Sequence, residues 1–115
     1  MTKDEVIEYI LRFSAQFVGL EELILIYYEA RGLVKPNVWK ALAFADTERG
    51  EAMEILLAKD NDGWVRNNPN SKPRWDPDDF AEELGDMIMM LIMAGLAEGV
   101  FPVSALLEKM QRKLK

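Results

Sequence analysis

Two pairs of carboxylates stand out by their surroundings: Glu48 with Glu51, and Glu83 with Asp86. Acids three residues apart occur six times in the chain, against about three expected from random placement. Most such pairs are ordinary solvated faces. These two differ because residues three and four apart stack on one side of a helix. One such line reads Ala41, Phe44, Glu48, Glu51, Ile55, Ala58, and another reads Glu83, Asp86, Met90, Met93, Ala97. Four acids on core-facing lines repel one another, and partial burial raises their pKa values. A divalent cation turns that repulsion into attraction, and hard oxygen donors favour Mg2+, with Mn2+ as a substitute. The alternative leaves all four acids at the solvated rim of a helical bundle.

The rest of the composition narrows the chemistry further. The chain has no histidine and no cysteine. That excludes histidine general bases, Ser-His-Asp triads, thiolate nucleophiles, disulfides and the usual zinc ligand sets. Reactions here must run on carboxylates, hydroxyls, lysines and arginines. With 115 residues, half of them hydrophobic, residues 1–115 are expected to form a single domain with its own core. A net charge of −6 repels phosphate backbones and argues against a nucleic-acid partner. The longest apolar run, Met87 to Ala94, is far short of the roughly 20 residues that span a bilayer. The acidic start Thr2-Lys3-Asp4-Glu5 does not read as a signal peptide. The expectation is a cytoplasmic protein with no membrane partner.

The elements that must carry these acids are helices, and the expected fold class is all-α. Thr2 with Glu5 forms a capping-box signature, followed by Val6, Ile7, Ile10, Leu11, Phe13, Phe17 and Val18 on a broad apolar face. Gly19 is expected to kink or split this segment before Leu20–Ala30, and Arg31-Gly32 to end it. A second helix follows Pro36-Asn37 and runs to about Lys59. Residues 60–76 are rich in Asn, Gly and Pro without periodicity, a loop between the two acidic helices. Asp76-Pro77-Asp78-Asp79 opens a third helix, with Asp76 as N-cap and Pro77 at the first helical position. It ends near Gly99. Phe101-Pro102 starts the last helix, which finishes in Lys109-Met110-Gln111-Arg112-Lys113. Beyond Asp86 the third helix is apolar on nearly every side and must be surrounded. Three short helices enclose it poorly, so the expected architecture is a four- to five-helix bundle completed by homo-oligomerisation.

Thr47-Glu48-Arg49-Gly50-Glu51 followed by Glu82-Glu83-Leu84-Gly85-Asp86 resembles the paired signature of the MazG-like, all-α nucleoside triphosphate pyrophosphohydrolases. That family carries Glu-Glu-x-x-Glu on one helix and Glu-x-x-Asp on the next. The basic stretch Lys109–Lys113 is similar to the end of the family's core, and the likeness covers roughly residues 38–115. The resemblance implies an Mg2+-dependent enzyme that cleaves the α–β phosphate bond of a nucleotide to a monophosphate and pyrophosphate, in a house-cleaning role. It implies Glu48, Glu51, Glu83 and Asp86 as metal ligands, with Glu48 and Glu51 catalytic. It also implies a homodimer or a dimer of dimers. A phosphoribosyl-ATP-type substrate, or a catalytically inactive helical binding module, are the alternatives.

Two departures from the family pattern matter. Thr47 replaces the first acid of the Glu-Glu pair, leaving Asp46 or Glu54 as the nearest substitutes. The spacing from Glu51 to Glu83 is also longer than usual for the family. The extra length carries Trp64, Arg66 and Asn67, with Asn68, Lys72, Arg74 and Trp75. Such a set can stack a base, read its edge and hold anionic oxygens, or its tryptophans can simply pin the loop to the bundle. Lys109, Arg112 and Lys113 are candidates for the leaving pyrophosphate; cations in a last turn also complement the helix dipole. Trp39, with Asn37 and Lys40, either lines a nucleoside pocket or, as expected for Trp39, packs in the core. The seven methionines read as adaptable core filler, and Tyr27 and Tyr28 as packing or interface residues.

Overall fold

Local side-chain chemistry sets the helix ends. The Thr2 hydroxyl accepts the Glu5 N–H at 3.1 Å, and the Glu5 carboxylate accepts the Thr2 N–H at 3.4 Å, closing the expected capping box. The computed structural model describes residues 1–60 and 75–115. Its elements are α1 (Lys3–Ala30), α2 (Val38–Asp60), α3 (Pro77–Ala97) and α4 (Pro102–Leu114). The described residues are all-helical with no strand.

Helix α1 runs unbroken through Gly19 for 28 residues, so the expected kink is absent. A single glycine costs about 1 kcal/mol relative to alanine, and the Leu-Glu-Glu-Leu that follows carries the helix on. Two helix ends share one device. At the end of α1, Gly32 takes φ 64, and the N–H groups of Gly32 and Leu33 donate to Glu29 O and Tyr28 O. At the end of α3, Gly99 takes φ 72, and the N–H groups of Gly99 and Val100 donate to Leu96 O and Gly95 O. Both are Schellman closures, which require a residue able to adopt the left-handed region.

The chain packs as two compact units, Met1–Val38 with Ile92–Lys115, and Trp39–Leu91. In the first, α1 lies against α4, and its core holds Ile10, Ile24, Tyr28, Ile92, Met93, Ala94 and Leu107. At Gly95, α3 and α4 leave no room for a side chain: a Cβ there would collide with the Pro102 ring. In the second unit the buried stripe of α2 is Ala41, Ala45, Ala52 and Ala58. Alanines allow a close approach to a neighbouring helix. In this unit carboxylates on α2 and α3 lie within reach of one another.

Several large apolar side chains stay open to solvent, among them Phe17, Leu20 and Leu23 on α1, and Ile88 and Leu91 on α3. Trp39 is 80% exposed, which corrects its expected place in the core: it is the second residue of α2 and stands off the alanine stripe. The methionines divide, with Met93 fully buried and Met53 and Met110 exposed. Among the described residues no single helix is long and apolar enough to cross a membrane.

Candidate metal centre

The acidic end of α3 is fixed first. Asp76 Oδ1 accepts the N–H groups of Asp78 at 2.9 Å and Asp79 at 3.3 Å, so the side chain caps the helix as expected. From that start, Glu83 follows seven residues on and Asp86 one turn later, both on the same side of α3. Across from them, Glu48 falls between Ala45 and Ala52 on the buried stripe of α2.

One oxygen from each of Glu48, Glu83 and Asp86 lies within 4.8 Å of the others. Glu48 and Glu83 are half-buried, while Asp86 and Glu51 are exposed. A side-chain hydrogen bond with Glu48, desolvation, and the hydrogen bond and charge of Glu51 push the Glu83 carboxyl up to about 8. Two carboxyls can hydrogen-bond only when one of them holds a proton. Among the described residues Glu83 Oε2 is also enclosed without a hydrogen-bond partner. A divalent cation would meet both conditions, replacing the shared proton and occupying the orphaned oxygen. The donor set is oxygen only, which suits a hard divalent cation.

Three of the four acids singled out from sequence, Glu48, Glu83 and Asp86, lie together, and Glu51 stands outside that group. Glu48 lies on the buried stripe and Glu51 on its exposed flank, where it still reaches Glu83. Thr47 takes no part: its hydroxyl donates to Ala43 O at 3.2 Å along its own helix. Asp46 is occupied on the surface, 3.8 Å from Arg49. Lys109, Arg112 and Lys113 are exposed on α4, in the first unit. Trp64, Arg66 and Asn67, with Asn68, Lys72 and Arg74, lie outside the described residues.

Sequence reasoning singled out neither Lys59 nor Glu21. Lys59 Nζ sits 4.6 Å from the Trp75 ring centroid, and that ring meets Phe80 at 5.5 Å. The tryptophan therefore joins the end of α2 to the start of α3, in line with the pinning role considered for it. On α1, Glu21 is 2% exposed, with neither carboxylate oxygen hydrogen-bonded. The only sequence signal for it was its spacing between Phe17 and Ile24 on an apolar helix.

Compared with known proteins, the chain matches no family model, no curated protein and no solved structure.

Proposed function

We propose that this protein is an Mg2+-dependent nucleotide pyrophosphohydrolase, which cleaves the α–β phosphate bond of a (deoxy)nucleoside triphosphate to a monophosphate and pyrophosphate. The observation that carries the reading is the convergence of Glu48, Glu83 and Asp86 from two helices, with Glu51 alongside. Their order along the chain matches the paired signature of the MazG-like family. Glu48, Glu83 and Asp86 would hold the cation, and Glu51 would complete the set from the exposed side. Bound there, Mg2+ supplies charge neutralisation for the phosphate oxygens and Lewis acidity at phosphorus. Glu51 is the exposed carboxylate within reach of Glu83, and so the acceptor for the proton of the attacking water. That water's oxygen bonds to phosphorus as the bridging P–O bond breaks, and pyrophosphate leaves with the electron pair. The exposed Ile88 and Leu91 on the apolar helix α3 support a MazG-like bundle completed by a second copy.

A phosphoribosyl-ATP-type substrate keeps the same chemistry. A non-enzymatic binding module is favoured by one observation, the Thr47 hydroxyl turned back onto Ala43 O, which leaves the family's extra acid unreplaced.

The test is pyrophosphate release from a panel of ribo-, deoxyribo- and phosphoribosyl nucleotides in Mg2+, Mn2+ or EDTA, with orthophosphate followed in parallel. Metal-dependent pyrophosphate from one preferred substrate supports the proposal. Release that persists in EDTA, or none from folded protein across the panel, overturns it.

A further inference from the structure

The first unit contains a cavity of about 300 Å3 that is separate from the acidic centre. Its walls come from Leu25 on α1, Met93 and Leu96 at the end of α3, and Phe101 before α4. Lys35, from the connection after α1, is the only charged side chain lining it. Among the described residues Lys35 makes no hydrogen bond or ion pair, although the chain as a whole carries an excess of acids. Both neighbouring helix ends are Schellman closures, and Pro102 leaves no room for a side chain at Gly95.

We propose that this cavity binds a small amphipathic anion, with an apolar body among Leu25, Met93, Leu96 and Phe101 and an anionic group on Lys35. The volume is at the lower end of those that hold small ligands. An apolar wall with one cation at its edge selects for a molecule that is apolar at one end and anionic at the other. A carboxylate and a phosphate monoester offer the same chemistry to an ammonium.

Octanoate, octyl phosphate and octanol, titrated into the full chain in EDTA, separate the contributions. Binding is followed by the methyl resonances of Leu25, Met93 and Leu96. Octanoate or octyl phosphate is expected to bind about tenfold more tightly than octanol, and the tighter of the two identifies the anion. Lys35→Met should remove that advantage and leave octanol binding unchanged, and Ala97→Phe, which fills the cavity, should weaken all three. Equal binding of octanoate, octyl phosphate and octanol, an anion advantage that survives Lys35→Met, or methyl shifts that follow self-association of the chain would each overturn the proposal. The cavity's result is independent of catalysis, because EDTA silences any metal-dependent hydrolysis.

Discussion

One carboxylate oxygen of Glu83 on α3 lies within 4.8 Å of one of Glu48 on α2. This neighbour, with burial and Glu51, pushes the Glu83 carboxyl up to about 8, so that it holds a proton that ordinary glutamates release near 4.5. The folded chain keeps this proton up to about 8. Its stabilising contribution is therefore complete below the unfolded value, and is lost as pH rises from about 4.5 through about 8. Thermal melts in EDTA between those limits should show stability falling with pH, and Glu83→Gln should flatten the slope. A cation competes with the same proton, so Mg2+ affinity should climb over that interval and binding should release protons into weak buffer.

Removing a ligand separates function from stability. Glu48→Gln and Asp86→Asn should each lower kcat for pyrophosphate release by more than about 100-fold, since even outer-shell changes at metal sites cost 10–100-fold. In metal-free buffer the same variants should melt higher than the parent, because each removes one charge from a repelling cluster. Variants that leave both properties unchanged would mark the acids as surface decoration.

Asp76 caps the helix that carries Glu83 and Asp86. Asp76→Ala should cost about 1 kcal/mol in urea unfolding, while Asp76→Asn, which keeps an acceptor oxygen, should cost less. A drop in hydrolysis larger than the loss of stability would show that the cap also sets the register of the acids.

Glu21 is buried without a hydrogen-bond partner among the described residues, and such a group costs about 1–3 kcal/mol. Glu21→Met, which keeps the length and removes the charge, should raise stability by a similar amount in chemical denaturation. Loss of stability instead would mean that an ordered water or a bound group satisfies the carboxylate.

Two glycines in helix interiors should respond in opposite ways. Gly50→Ala meets open space and should gain about 0.5–1 kcal/mol from reduced chain entropy. Gly95→Ala would place a Cβ 2.7 Å from Pro102 Cδ, and overpacking of that kind costs about 1–3 kcal/mol. Urea midpoints of the two variants check both signs.

The helix ends were legible because their causes lie within a few residues: Thr2 with Glu5, Asp76 before Pro77, and Gly32 and Gly99 after their helices. The acidic centre was legible in its members, because a three-residue spacing puts side chains on one face. Its register was not. Glu48 and Glu51 differ in exposure according to where the alanines of α2 meet their neighbour, a tertiary property. Trp39 failed for the same reason: its hydrophobicity says nothing about which side of α2 finds a partner. The helix through Gly19 shows a weak local penalty losing to strong neighbours on both sides. The orphaned carboxylate of Glu21 could not be foreseen from an isolated charge on an apolar helix, where solvent exposure is the ordinary outcome.

The contact of Lys59 with Trp75, backed by Phe80, has a bearing on how the chain could be rebuilt. That pair of contacts ties the end of α2 to the start of α3 through side chains alone. Closing a loop becomes only slowly more costly with length, about 0.6 kcal/mol for each doubling. A chain in which the sequence between Lys59 and Trp75 is exchanged, with both of those residues kept, is therefore the rebuilt form in which to ask whether Glu48, Glu83 and Asp86 keep their positions.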